Sequence, residues 1–250
     1  MRGANPVVDY DDKLTAGLRS AINFNSPGKA GIIRVSSLGG CLLHDAYYAS
    51  VAGEMPDEDE ADRAEGLPAY LGKAFEEAVI GDICAERWDG ISLLTPPDGR
   101  EQWSVDGSAY GLPNLKGHLD AVLEYREREV LGEIKLMNPY RYRRLVRGEM
   151  AKSKKATLPG LENFPPYKMQ IHTYAGLLGL PETIFVVGCS YAGMIQDDIP
   201  DSLVVLRVPY DESEFYRAIE RAEELQHHLN FGTKPKCERA EYCRYRKDLI

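Results

Sequence analysis

No stretch of this 250-residue chain approaches the roughly 20 consecutive apolar residues that a membrane-spanning helix needs. That argues against a helical membrane protein. Met1 to Asp12 lacks the apolar core of a signal peptide, so a cytoplasmic protein is the expectation. Cysteine is scarce and odd in number: 5 residues, dispersed at Cys41, Cys84, Cys189, Cys237 and Cys243. This excludes the disulfide-dense scaffold of small secreted domains and leaves core filling or metal binding as cysteine roles. Internal repeats are lacking too, which removes the solenoid architectures. A basic surplus is missing overall, since net charge is −9. A uniformly basic nucleic-acid binder is therefore ruled out.

The charge is unevenly placed, however. Between Lys135 and Lys155 eight basic residues (Lys135, Arg141, Arg143, Arg144, Arg147, Lys152, Lys154, Lys155) face a single acid, Glu149, for a local +7. The remainder holds 22 basic against 38 acidic residues, or −16. One concentrated basic segment in an acidic protein can grip a phosphate backbone locally. The competing reading is a solvated charged loop, because Gly148 to Gly160 has loop-like composition.

Composition is that of a globular enzyme, with 44% hydrophobic and 28% charged residues. One domain is expected: an N-terminal helical extension over 1–66, a core over 67–210, and a helix plus tail over 211–250. Residues 1–30 are polar, with one short helix predicted over Lys13–Asn23. Ser36 or Ser37 reads as the N-cap of a helix to about Ala52. Met55–Glu65 is an acidic linker. From Pro68 to Trp88 the apolar positions Leu71, Phe75, Ala78, Val79 and Ile83 share a helical face. Short strands follow at Ile91–Leu94 and Gln102–Val105. Leu115–Tyr125 and Glu129–Met137 alternate apolar and polar residues and read as a hairpin closed by Arg126-Glu127-Arg128. A basic helix or loop follows Pro139, and Pro165-Pro166 opens a helix from about Tyr167 to Leu180. Thr183–Tyr191 and Leu203–Pro209 read as strands, and Asp211–Phe231 as an amphipathic helix capped by Asp211 or Ser213. Helices around a small mixed sheet make the class α/β.

The hairpin carries the chemistry. Side chains alternate along a strand, so Glu133 and Lys135 face the same way, and the partner strand can bring Asp120 beside them. Two carboxylates and an ammonium in otherwise apolar strands are costly to bury unless they are paired or bind a metal. Hard oxygen ligands suit Mg²⁺ or Mn²⁺. A neighbouring lysine can orient a water nucleophile and offset charge on a phosphate. A surface salt-bridge cluster is the other reading of the three residues taken alone.

The flanks extend the pattern. Glu76 follows Gly72 by four residues in a helix, and Gln170 precedes Tyr174 by one helical turn. In order, G-x-x-x-E, G-x-x-D, E-x-K and Q-x-x-x-Y over residues 72–174 resemble the RecB-like branch of the PD-(D/E)XK nuclease superfamily, which includes phage-encoded and CRISPR-associated exonucleases. The resemblance implies a restriction-endonuclease-like α/β core with an N-terminal helical extension. It implies metal ligation by Glu76, Asp120, Glu133 and the Ile134 carbonyl, with Asp120, Glu133 and Lys135 catalytic. Glu76 departs from the histidine frequent at its position in this branch. Gln170 and Tyr174 would brace the site and contact DNA, and Arg141, Arg143, Arg144 and Arg147 would hold phosphate. The implied partner is DNA, as single strand or duplex ends, and the implied reaction is exonucleolytic hydrolysis in recombination or repair, beside a recombinase or annealing protein. Alternatives are a structure-selective endonuclease and a non-catalytic DNA-binding module.

His118 and His172 lie off the ligand positions and are expected to support the site or face a groove. Tyr140, Tyr142 and Tyr167 interleave with the arginines, for base stacking or for plain packing. The stretch from Ser36 to Cys41 is similar to the N-terminal element of iron–sulfur members of the branch. There one early cysteine joins three late ones spaced C-x₂-C-x₅-C. This chain offers Cys41, Cys237 and Cys243 for a [4Fe–4S] cluster, with Lys234 at the remaining position. The incomplete quartet argues against the cluster. Cys84 and Cys189 are expected to be buried.

Overall fold

A computed structural model of the protein describes residues 31–42, 46, 66–97, 99, 102–147, 160–190 and 202–236. The predicted helix over Lys13–Asn23, the acidic run Met55–Glu65 and the tail with Cys237 and Cys243 lie outside the described residues.

Two sheets form rather than the single small sheet expected. The larger has five strands: β2 (Ile91–Leu94), β5 (Ala121–Tyr125), β6 (Arg128–Met137), β7 (Glu182–Cys189) and β8 (Leu203–Pro209), side by side in that order. Only β6 and β7 run parallel; the other pairs are antiparallel. The smaller sheet sets β4 (Leu112–His118) between β1 (Ile33–Arg34) and β3 (Ser104–Gly107). Among the described residues four helices of eight residues or more flank them: α1 (Gly66–Cys84), α2 (Pro139–Arg147), α3 (Pro165–Leu178) and α4 (Glu212–Phe231).

The predicted strand Leu115–Tyr125 is in fact two strands in two sheets. The chain changes sheet at Leu119-Asp120. Leu119 donates its N–H to the Trp103 carbonyl at 3.1 Å, and its own carbonyl accepts from Gln102 Nε2 at 3.1 Å. Gln102 and Trp103, read from sequence as the start of a strand, instead bend the neighbouring chain, and β3 begins at Ser104. Asp120 therefore stands at the corner where the sheets part.

The sheet's two faces are covered differently. Alternation along β6 sends Val130 and Ile134 to one side, where Phe75, Val79 and Ile83 of α1 pack on them. Leu131 and Met137 go to the other, into the main core with Ile171, Tyr174 and Phe185. Glu133 and Lys135 have the parity of Leu131, so they point toward α3. The face read for α1 holds at Phe75, Val79 and Ile83, while Leu71 and Ala78 are exposed.

Ser36 and Ser37 sit inside a short 3₁₀ turn, Val35–Ser37, rather than capping a helix; Ser37 Oγ donates back to the Arg34 carbonyl at 2.9 Å. The loop that follows is tied to α4 by Arg221, which donates to the carbonyls of Leu38 (2.7 Å) and Gly40 (2.9 Å). Gly39 packs against Pro166 so closely that an added Cβ would lie 2.2 Å from its Cα. At the far end, Asp211 caps α4 as expected, accepting from the N–H groups of Ser213 and Glu214.

Arg126 and Glu127 close the β5–β6 hairpin with φ of 52° and 60°, the left-handed values of a two-residue type I′ connection. Neither residue is a glycine or asparagine, so each bears the strain of its Cβ. Glu127→Gly is therefore expected to stabilise the fold by about 1 kcal/mol in chemical denaturation. An unchanged or lower stability would contradict the left-handed turn.

Candidate active site

Asp120, Glu133 and Lys135 do come together. Asp120 Oδ2 accepts the Ile134 N–H at 2.8 Å and Lys135 Nζ at 3.2 Å. The same ammonium reaches Glu133 Oε1 at 2.5 Å and the Ile134 carbonyl at 3.2 Å. Lys135 thus sits between both carboxylates. The backbone bond from Ile134 matters because it fixes Asp120 where the ladder would otherwise end at Ala121–Gly132.

From α3, Gln170 Nε2 donates to Glu133 Oε1 at 2.8 Å. One turn on, Tyr174 is buried against Gly117, where an added Cβ would lie 2.3 Å from the ring. Only glycine lets the ring lie there. Both side chains are buried, Gln170 against Glu133 and Tyr174 against Gly117.

Glu133 is 1% exposed, and its second oxygen, Oε2, is buried with no hydrogen-bond partner. An ionised carboxylate in that position is expensive. Burial accordingly pushes the Glu133 pKa up to about 7, against the pull of Lys135. For Lys135, burial acts to lower its pKa, but Glu133 and Asp120 together outweigh it and hold the ammonium charged. Burial, aided by the Glu133 charge, keeps the Tyr174 hydroxyl neutral.

Glu76, on α1, is close enough to Glu133 to raise its pKa further. Its Oε1 is held by Lys73 Nζ at 2.9 Å. Among the described residues, no three His, Cys, Asp or Glu side chains converge into a ready-made metal set. Lys135 stands between Asp120 and Glu133 instead, and Lys73 holds Glu76. The donor chemistry still fits a hard divalent cation, since all donors are oxygens and one buried carboxylate oxygen lacks a partner.

Similar architectures occur among solved structures. The protein designated SSO0001 is 17% identical, covers 93% of this chain and 94% of its own, and superposes with a TM-score of 0.50. An alkaline exonuclease, LHK-Exo from Laribacter hongkongensis, is 14% identical, covers 82% of this chain and 90% of its own, also at 0.50. The shared architecture is the restriction-endonuclease-like α/β fold expected from the sequence. No family model matches the sequence, and no curated protein matches it significantly.

Around this core the remaining expected residues separate. Arg141 is exposed on α2, Arg143 and Arg144 are half-buried, and the Arg144 guanidinium lies over the Phe164 ring at 5.4 Å. The Arg147 side chain and residues 148–159, which complete the basic segment, lie outside the described residues. Tyr142 is fully buried and Tyr167 stacks beside Phe164, so both pack; Tyr140 is exposed and is the one of the three available for stacking. His118 is exposed. His172 is buried away from the carboxylates, its Nδ1 accepting the Asp211 N–H at 3.1 Å; burial lowers its pKa. It supports the start of α4 and lines an open groove with Leu161, Lys168 and Tyr210, away from the Asp120–Glu133–Lys135 set. Cys41 and Cys189 are buried, but Cys84, expected in the core, is exposed. With Val79 and Ile83 turned inward, the last turn of α1 leaves Cys84 on the solvent side.

Sequence reasoning missed Lys73, and it read Gly117 only as the glycine of G-x-x-D, not as the seat of the Tyr174 ring. The signal for Lys73 was present: it stands three residues before Glu76, within one helical turn.

The Glu133 shift has a consequence for pH. Its folded pKa lies above its unfolded value near 4.5. The proton therefore stabilises the fold fully below pH 4.5, and that contribution is lost as pH rises through 7. The metal-free protein should lose up to about 3 kcal/mol between pH 5 and 8 from this group. Glu133→Gln, which cannot ionise, should show a flatter Tm–pH profile over that range. Parallel profiles would show that Glu133 titrates normally.

Proposed function

We propose that this chain is a divalent-metal-dependent DNA nuclease that hydrolyses phosphodiester bonds from a DNA end. The observation that carries the reading is the buried, half-satisfied Glu133 beside Asp120, both gripped by Lys135. A binding module has no use for carboxylates that repel phosphate. Asp120, Glu133, the Ile134 carbonyl and Glu76 would hold Mg²⁺ or Mn²⁺. Once bound, such an ion supplies Lewis-acid charge at the phosphate and a water of lowered pKa.

The chain's own residues do the rest. Lys135 keeps its charge at every working pH, so it serves to orient a water and to neutralise a phosphate oxygen. Gln170 fixes the Glu133 carboxylate through Oε1, which leaves Oε2 as the free donor. The Ile134 N–H aims Asp120. Arg141 and Arg143 on α2, which starts directly after β6, supply positive charge for the flanking backbone. The alkaline exonuclease among the similar folds favours action at ends over internal cutting. End processing in recombination or repair, with an annealing partner, is the setting we propose.

End-labelled linear and circular single-stranded DNA, with Mn²⁺ or EDTA, test the proposal. Linear DNA should be degraded only with Mn²⁺, circles should survive, and Asp120→Asn and Lys135→Ala should each lose at least about 100-fold in rate. Cleaved circles would make the protein an endonuclease. Absence of any metal-dependent cleavage of DNA would overturn the nuclease reading.

A further inference from the structure

Lys73 is the only basic residue of α1, whose sequence over Gly66–Cys84 otherwise carries three acids, Glu76, Glu77 and Asp82. Its ammonium could pair with Glu77 one turn away at the surface. It pairs instead with Glu76, at 2.9 Å. Glu76 is the acid turned toward the site: its side chain is 17% exposed, and its charge is felt by Glu133. Lys73 in turn lies within electrostatic reach of Asp120. Three carboxylates are thus balanced by two ammonium groups, which occupy different situations. Lys135 is rooted in the central strand and touches Asp120, Glu133 and the Ile134 carbonyl at once. Lys73 has one partner and a side chain that is 53% exposed, so solvent is open to it on the other side.

We infer that Lys73 is a positioning residue that holds Glu76 in place of a divalent cation and yields it when the cation binds, so that its ammonium is freed at the mouth of the site to meet a DNA phosphate. The inference rests on the metal-dependent reading above. An exposed ion pair between helical neighbours is weak, so the exchange is cheap. Displacing Lys73 also removes a like charge from beside the incoming cation. Lys135 cannot make this exchange, because leaving would strip the buried Glu133 and the half-buried Asp120 together.

The test uses the full chain and Mn²⁺ alone, without DNA, followed by calorimetric titration. Lys73→Met keeps the apolar stem and removes the charge. It should bind Mn²⁺ about three- to fivefold more tightly than wild type. Lys73→Arg should bind as wild type does. In a Glu76→Gln background the gain from Lys73→Met should vanish, which separates the specific pair from general charge removal. A short oligonucleotide should bind Lys73→Met about threefold more weakly than wild type with Ca²⁺ present and equally with EDTA. Unchanged or weaker Mn²⁺ affinity, a gain that persists without Glu76, or an equal DNA loss with and without cation would each overturn the exchange. Failure of the underlying reading is distinct: wild type would then bind no Mn²⁺ that Glu133→Gln abolishes.

Discussion

Glu133 has its charge taken out of water and receives only half the compensation a carboxylate needs. One oxygen is shared by Lys135 and Gln170; the other is shut in the protein with nothing to accept from. Much else in the molecule is arranged around that group. Helix α3 must lie close enough for Gln170 to reach, which Tyr174 over Gly117 secures. Lys135 must stay charged, which Asp120 and Glu133 together ensure against its own burial. A site built for stability would have replaced these charges with apolar side chains of similar volume. Retaining them makes sense if another positive charge completes the set.

The second constraint is the parting of the sheets. Were β4 and β5 one continuous strand, Asp120 would pair along the ladder opposite Glu133 and the two carboxylates would stand side by side, blocked by β-structure. The bend at Leu119, held by Gln102 and Trp103, takes Asp120 out of register. Its carboxylate then accepts the Ile134 N–H that would otherwise have gone to a neighbouring strand. The parting of the sheets at Asp120 is thereby held by two hydrogen bonds on Leu119, the residue just before it. Helix α1 brings Glu76 and Lys73 to the same opening because Phe75 and Val79, their neighbours in sequence, pack against the sheet. The packing and the chemistry of α1 share one stretch of helix.

Much of this was legible in the sequence, and the reason is parity. Glu133 and Lys135 had to share a face once β6 was a strand, and Gln170 and Tyr174 had to share one once α3 was a helix. The order of the four motifs likewise pointed to the fold. What was not legible depended on distant partners. Residues 115–120 alternate straight through Leu119 into the apolar run Ala121-Val122-Leu123, so nothing local marks the break that Trp103 imposes at Leu119. The second sheet was missed for the same reason. Leu71 and Ala78 lie on a face that periodicity marks as apolar, but only Phe75, Val79 and Ile83 of that face reach the sheet. Tyr142 and His172 sit among polar or charged residues, yet their surroundings are decided by helices far along the chain.

The central claim is that Glu133 is held ready for a cation. Calorimetric titration of Mn²⁺ into wild type and Glu133→Gln at pH 8, in two buffers of different protonation enthalpy, tests it most directly. The account predicts saturable binding by wild type, with proton release that grows as the pH is lowered toward 7, and loss of that binding in the variant. Equal Mn²⁺ affinity in the two proteins would contradict it.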